Sequence, residues 1–171
     1  MTITLVGYRG TGKSSVAQRL ADRLGLTAVD ADAEIELRAG CTIREIFAAR
    51  GEAGFRALER DVMADLLQRP GLVIAAGGGA VLNAQTRSEM RAAGPVVWLQ
   101  GSPATIEARL QSDATTRERR PPLTAGDLQT EIATLLAVRE PLYRDVASVA
   151  VATDDRDIAD IVDEIVVRLT P

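Results

Sequence analysis

The 171-residue chain contains no histidine, a single cysteine, Cys41, and a single lysine, Lys13. The absence of histidine excludes serine–histidine and cysteine–histidine catalysis, and it excludes metal sites built on imidazole. One cysteine cannot form an internal disulfide, which favours a reducing compartment, and we interpret Cys41 as a small apolar residue. Because the chain has no histidine, any general base must be a carboxylate or another non-histidine group.

Aromatic residues and long apolar runs are also scarce. Phe, Trp and Tyr make up 3% of the chain, so Leu, Val, Ile and Ala must fill its core. No apolar run approaches the roughly 18 residues of a membrane span, and the N-terminus lacks the pattern of a signal peptide. The formal net charge of −4 argues against general nucleic-acid binding. We therefore expect one cytoplasmic domain, residues 1–171, with no nucleic-acid or membrane partner.

Short apolar strands alternate with helical patterns, which is typical of an α/β protein whose parallel sheet has helices on both faces. We predict five strands, over residues 2–7, 26–32, 71–82, 95–100 and 148–153, the third running into three glycines. Helical patterns cover residues 13–24, 31–69, 102–111, 126–145 and 157–169. Such sheets bind ligands beyond the carboxyl ends of their strands. Three of the predicted strands end in unusual sequence: a glycine loop, two carboxylates and the triple glycine.

Local signals indicate some of the helix ends. Thr42, with Glu45 three residues later, predicts a capping box, and Gly51 predicts the end of the helix that this box opens. Ser102 followed by Pro103 predicts the start of another helix.

The stretch "GYRGTGKS" fits the phosphate-loop pattern G-x-x-x-x-G-K-[ST], with Lys13 and Ser14 as its last two positions. Glycines let backbone N–H groups surround a phosphate, and the following helix adds its N-terminal dipole. Lys13 would bridge the β- and γ-phosphates, and Ser14 would bind Mg²⁺. ATP is favoured over GTP because a guanine-binding N-K-x-D stretch would need a second lysine. The alternative is a glycine-rich turn without a ligand.

The stretch "VDADAEIE" places Asp30 and Asp32 at the end of a predicted strand. The two carboxylates could serve two purposes, one facing a metal and one facing an acceptor. The alternative is a strand-to-helix turn with Asp32 as its N-cap.

Two arginines and three glycines complete the candidate site. Arg56 in "FRALE" and Arg139 in "VREPLY" stand on predicted helices, where the alternative is a solvated surface arginine. Three glycines at a strand end indicate a close approach of the backbone to another group, or a tight structural turn.

Taken together, "GYRGTGKSS", "DAD", "FRALE", "GGGAV", "RPPL" and "REPLY" resemble the shikimate kinase family in order and spacing over nearly the whole chain. The resemblance implies a fold of the nucleoside monophosphate kinase type, with a five-stranded parallel sheet, a substrate-binding segment near residues 31–60 and a lid near residues 112–124. It also implies transfer of the ATP γ-phosphate to the 3-hydroxyl of shikimate, with Mg²⁺ as cofactor, in the pathway to chorismate and the aromatic amino acids. We expect a monomer.

The resemblance also implies roles for individual residues. The ATP-binding residues would be Gly10, Thr11, Gly12, Lys13, Ser14, Ser15, Arg120 in the lid and Arg156 beside adenine. The residues contacting shikimate would be Asp32, Arg56, Gly78, Gly79 and Arg139, the two arginines holding its carboxylate. Lys13, Asp32 and Arg120 would be catalytic, with Asp32 the candidate base; Ser14 would bind Mg²⁺ directly and Asp30 in its outer shell.

The chain departs from the family pattern in the lid, where it reads "RPPL" instead of R-P-L-L, so that Pro122 would stiffen lid closure. The roles of Arg117 and Arg119 in the lid stay unassigned. No aspartate follows "VVWLQ", which leaves Mg²⁺ few protein ligands. The alternatives are a gluconate kinase-like enzyme, a nucleoside monophosphate kinase, and an inactive phosphate-loop module that binds ATP to regulate a partner. The last would be expected to have lost Lys13, Asp32 or the lid arginine.

Overall fold

The computed structural model describes residues 1–113 and 127–170, in which strands and helices alternate. The strands are β1 (Ile3–Val6), β2 (Thr27–Asp30), β3 (Leu72–Ala75), β4 (Val96–Gln100) and β5 (Val149–Ala152). The helices are α1 (Lys13–Leu24), α2 (Ala31–Ala39), α3 (Ile43–Gln68), α4 (Ala84–Ala93), α5 (Pro103–Ser112), α6 (Leu128–Val146) and α7 (Ile158–Leu169). The strands form one parallel sheet in the order β2-β3-β1-β4-β5, which confirms the predicted α/β class.

Helices cover both faces of the sheet because successive strand residues point to opposite sides. In β4, Val97 and Leu99 pack in a core layer with α1 and α7. Val96 and Trp98 pack in the other layer, with α3, α4 and α6. The near-continuous apolar sequence of the central strands is therefore buried from both sides.

Two of the predicted helix starts are confirmed, and the helix end predicted at Gly51 is a kink inside a longer helix. Thr42 and Glu45 form the capping box, in which the Glu45 carboxylate accepts from Thr42 N–H at 2.7 Å. Gly51 interrupts the helical backbone with φ 66° and ψ −173°, although α3 continues beyond this kink. Ser102 caps α5, with Pro103 at its first helical position.

Helix α4 is not among the helices that the sequence pattern predicts. Thr86 and Met90 are its buried residues, so its apolar stripe is too thin for periodicity to indicate a helix. Its clearest signal is Asn83, whose side chain accepts from Thr86 N–H at 3.0 Å as an N-cap.

Residues 114–124 of the predicted lid, including Arg117, Arg119, Arg120 and Pro122, lie outside the described residues. The helices of residues 1–113 and 127–170 include none with both the length and the apolar character needed to cross a membrane.

Candidate active site

A cleft of about 450 Å³ opens where β1, β2 and β3 end at the carboxyl edge of the sheet. The phosphate loop follows β1, the carboxylates lie at the end of β2 and in the first turn of α2, and the triple glycine follows β3. The residues that line the cleft include Arg9, Gly10, Gly12, Lys13, Ser14, Ser15, Asp30, Asp32, Gly77, Gly78 and Arg109. The structure thus brings the three unusual strand ends of the sequence to one site.

The phosphate loop wraps around the N-terminus of α1. Gly12 caps this helix with φ 87°, a left-handed backbone that favours glycine. The Lys13 ammonium donates to the carbonyl oxygens of Gly7 at 2.8 Å and Tyr8 at 2.9 Å. The buried Thr11 hydroxyl also donates to Tyr8 O, at 2.7 Å. The loop therefore holds Lys13 at the N-terminus of a helix whose free N–H groups and dipole attract anions.

Asp30 connects this loop to α2. Its Oδ2 accepts from the Ser14 hydroxyl, and its Oδ1 accepts from the backbone N–H groups of Asp32 at 2.9 Å and Ala33 at 3.2 Å. Asp30 is therefore the N-cap of α2. The expectation that Asp32 either ends the strand or caps the helix is wrong, because β2 ends at Asp30 and Asp32 lies in the first helical turn. The half-buried Asp32 nevertheless lines the cleft.

The oxygens of Ser14 and Asp30 fit a magnesium site. A hydroxyl and a carboxylate are hard ligands of the kind Mg²⁺ prefers. They meet beside the first turn of α1, where the phosphates of a nucleotide would bind. Two such groups leave room for the water and phosphate oxygens that usually complete the coordination of Mg²⁺.

Arg56 and Arg139 meet at the glycine pair after β3. A Cβ added to Gly79 would overlap the Arg56 guanidinium, and one added to Gly78 would lie 3.4 Å from Nη1 of Arg139. The Tyr143 hydroxyl donates to Gly78 O at 2.5 Å. Gly79 therefore allows the Arg56 guanidinium to approach the backbone closely, while Arg139 lies in ordinary contact with Gly78; at Gly79 this supports close approach over a plain turn.

Both arginines are held in defined surroundings. Arg56 forms an ion pair with the buried Glu59 at 2.7 Å. Arg139 is buried, with its Cζ 5.9 Å from the centroid of the Tyr8 ring. Burial raises the pKa of Tyr8, while the positive charge of Arg9 acts in the opposite direction. The Arg139 guanidinium lies within cation–π distance of the Tyr8 ring.

Arg109 has no role that could be predicted from the sequence, yet the structure places it in the wall of the cleft. Its guanidinium donates to Gly10 O at 3.3 Å and Thr153 O at 2.8 Å, so it joins the phosphate loop to the loop after β5. Arg156, expected beside adenine, donates instead to Glu164 at 2.5 Å, and it is absent from the cleft lining formed by the described residues.

The loop after β5 is also tied to α5. Asp154 accepts from Ser102 N–H at 2.9 Å. Hydrogen bonds from the Thr105 hydroxyl and from Ser102 N–H lower the pKa of Asp154. The anionic Asp154 therefore holds this loop beside the helix that carries Arg109.

The strand order and the phosphate loop at the end of β1, which shares one cleft with Asp30, Asp32 and Gly78, define a phosphate-loop kinase of the nucleoside monophosphate kinase type. Arg56 and Gly79 line a second pocket. Comparison with known proteins makes the assignment specific. The family profile described as "Shikimate kinase" matches residues 9–170.

Relatives and structures agree with this match. Shikimate kinases from Rhodopirellula baltica and Symbiobacterium thermophilum are 43% and 42% identical to this chain, covering 94% and 99% of it and 86% and 96% of their own sequences. A structure of shikimate kinase from Acinetobacter baumannii in complex with shikimate is similar with a TM-score of 0.90 at 37% identity, covering 96% of this chain and 90% of that one. The chain belongs to the shikimate kinase family, whose members are ATP-dependent kinases. The predicted family and fold are thereby confirmed.

Proposed function

We propose that this protein transfers the γ-phosphate of ATP to the 3-hydroxyl of shikimate, giving shikimate 3-phosphate and ADP on the route to chorismate and the aromatic amino acids. The observation that carries the proposal is the convergence of Arg56 and Arg139 on one glycine pair, of which Gly78 lines the same cleft as Lys13 and Asp32. Phosphoryl transfer needs little covalent chemistry from the protein, so positioning and charge provide most of the catalysis.

At the phosphate end, the backbone N–H groups of the loop bind the β- and γ-phosphates, and Lys13 bridges them as a compact positive charge. Residues Gly10, Thr11, Gly12, Ser14 and Ser15 complete this ATP site. The dipole of α1 stabilises the negative charge that develops on the leaving phosphate. Ser14 would hold Mg²⁺ directly and Asp30 would hold it through its outer shell, and the bound ion would neutralise phosphate charge.

At the acceptor end, Arg56 and Arg139 bind the shikimate carboxylate, because paired guanidiniums suit a small planar anion. The backbone at Gly78 and Gly79 contacts the ring hydroxyls. Asp32 accepts or orients the proton of the 3-hydroxyl that attacks the phosphate. An aspartate is a weak base in water, so its position matters more than its basicity.

Arg120 reaches the ATP phosphates when the lid, residues 112–124, closes, and it stabilises the transferring phosphate. Support comes from family membership and from the "RRPPL" sequence. Arg156 borders adenine, a role that requires it to exchange its contact with Glu164 for the nucleotide. Residues 31–60, which comprise α2 and about the first two thirds of α3, serve as the substrate-binding segment of a single domain. We further propose a cytoplasmic monomer.

The function is tested by offering shikimate, quinate, gluconate and AMP separately to the purified protein with Mg²⁺ and ATP. We expect rapid ADP release with shikimate alone, and one product phosphorylated at the 3-hydroxyl by phosphorus and proton NMR. Faster ADP release with gluconate or AMP than with shikimate would show that shikimate is not the acceptor. Failure to turn over any of the four would support a module that binds ATP without catalysis.

Replacing Arg139 by methionine should raise the KM for shikimate and leave the KM for ATP near its original value. Loss of one guanidinium from a desolvated ion pair costs about 2 kcal/mol, which corresponds to about a thirtyfold rise in KM. Steady-state kinetics with each substrate varied in turn measures both constants. The same change at Arg56 should act on the same constant.

Arg144→Met is the matched control, because Arg144 stands on the same helix with 73% of its side chain exposed. We expect both KM values of this variant to equal those of the original protein. A rise in the ATP KM of the Arg139 variant, with an unchanged shikimate KM, would show that the carboxylate clamp is wrongly assigned. Thermal unfolding checks that each variant is folded.

A further inference from the structure

Arg9 is a residue of the phosphate loop to which the proposed function gives no role. Its Nη2 lies 2.6 Å from Oε1 of Glu131, in the first turn of α6. The Glu131 side chain is 2% exposed and that of Arg9 is 17% exposed, with Arg9 lining the cleft. A carboxylate this deeply buried requires a cationic partner, so Arg9 and Glu131 hold each other in place.

The neighbouring loop residue contacts the same helix at a second point. The Tyr8 ring makes a cation–π contact with Arg139, whose Cζ lies 5.9 Å from the ring centroid. Arg139 follows Glu131 by eight residues, about 12 Å at 1.5 Å per residue. Residues spaced by four and eight positions lie on one face of a helix. Tyr8 also packs against Ile132 in a small apolar cluster under this face. Two consecutive loop residues therefore fix α6 at its beginning and at the arginine.

Helix α6 needs such anchors because Pro141 lies inside it, two residues after Arg139. Proline has no N–H to donate to the carbonyl of the preceding turn, which weakens the helix at that point. On the far side of Pro141, Tyr143 donates to Gly78 O at 2.5 Å. On the near side, the Arg9–Glu131 ion pair joins the beginning of the helix to the phosphate loop, and Tyr8 contacts Arg139.

We propose that Arg9 and Glu131 are positioning residues, which set Arg139 toward the carboxylate of the acceptor. The proposal rests on the proposed function, because Arg139 must be a carboxylate-binding residue. The phosphate loop then has a second role, since its Tyr8-Arg9 pair orients the helix that recognises the acid while the rest of the loop binds ATP. The specificity for a carboxylate acceptor therefore depends on two residues, Arg9 and Glu131, that act on the carboxylate only through Arg139.

The test compares Arg9→Met, Glu131→Met and the double variant in the full-length protein. Each single variant should raise the shikimate KM about tenfold through misplacement of Arg139, while the ATP KM stays within about twofold. The double variant should be no worse than the worse single one, because the two residues act as a unit. Arg9→Lys, which keeps a cation opposite Glu131, should fall between the original protein and Arg9→Met.

Glu140→Met is the matched control, since Glu140 lies on the same helix, pairs with Arg144 and is 45% exposed. Its kinetic constants should equal those of the original protein. Calorimetric binding of shikimate without nucleotide gives a second readout and should weaken by the same factor as the KM rises. If a methionine variant does not fold, Arg9→Lys decides alone, and only a selective rise in the shikimate KM supports the proposal.

Three results would overturn the positioning role. A rise in the shikimate KM for Arg9→Met but not for Glu131→Met would mean that Arg9 contacts the acceptor itself. Equal rises in both KM values would indicate a general structural role, and additive effects in the double variant would indicate separate roles. Assays of the unsubstituted protein distinguish failure of the positioning role from failure of the proposed function. If that protein phosphorylates none of the acids, both proposals are refuted. If it phosphorylates another acid, the KM values of the variants are compared for that acid.

Discussion

Lys13→Arg should give a folded protein whose kcat has fallen about a thousandfold, the loss expected when a key donor to a developing oxyanion is misplaced. Everywhere else in this chain the basic residue is arginine, 19 in all. At position 13 the side chain must fit between the carbonyls of Gly7 and Tyr8 and still reach a phosphate. A planar guanidinium is bulkier than an ammonium and does not act as a point charge in that space.

The matched control is Arg19→Lys, the reverse exchange at an exposed position of the same helix, α1. We expect its kcat and both KM values to stay within about twofold of the original values, since exposed surface changes are usually small. The midpoint of thermal unfolding should be similar for both variants. A Lys13→Arg variant that kept most of its kcat would show that a compact charge is not required at the phosphates.

The sheet and the phosphate loop could be predicted because local sequence determines them. An apolar β-branched run followed by a glycine pattern specifies strand, loop and helix with few alternatives. The capping box of Thr42 and Glu45 is likewise contained within four residues. Helix α4 escaped prediction because its partners are distant, and only two of its residues are buried.

The structural roles of the two carboxylates, Asp30 and Asp32, could not be predicted from the sequence. The sequence predicts that Asp30 and Asp32 share a strand end, yet Asp30 caps α2 and Asp32 lies in its first turn. A shift of one residue decides whether Asp32 belongs to the strand or to the helix, and the sequence around it is compatible with both. Periodicity also gave no sign of Arg9 and Arg109, whose partners lie 122 and 44 residues away along the chain.

Asp32→Ala should reduce kcat by about a hundredfold to ten-thousandfold, the range in which general acid–base groups contribute. The Asp30 carboxylate accepts a hydrogen bond from the backbone N–H of Asp32 at 2.9 Å. This bond fixes the backbone of Asp32 at the start of α2, beside the phosphate loop. If the proposed role is correct, removing the carboxylate takes away the group that accepts or orients the proton of the attacking hydroxyl. Single-turnover phosphoryl transfer, with shikimate saturating, separates this step from product release.

Asp32→Asn distinguishes the two roles left to this residue, because the amide keeps the shape and a hydrogen-bonding oxygen but cannot take up a proton. A loss as large as that of Asp32→Ala would identify proton acceptance, and a kcat near the original would identify orientation of the hydroxyl. Glu34→Gln, on the same helix and paired with Arg38, removes a charge away from the cleft and should leave kcat unchanged. Near-normal kcat in a folded Asp32→Ala protein would refute both roles.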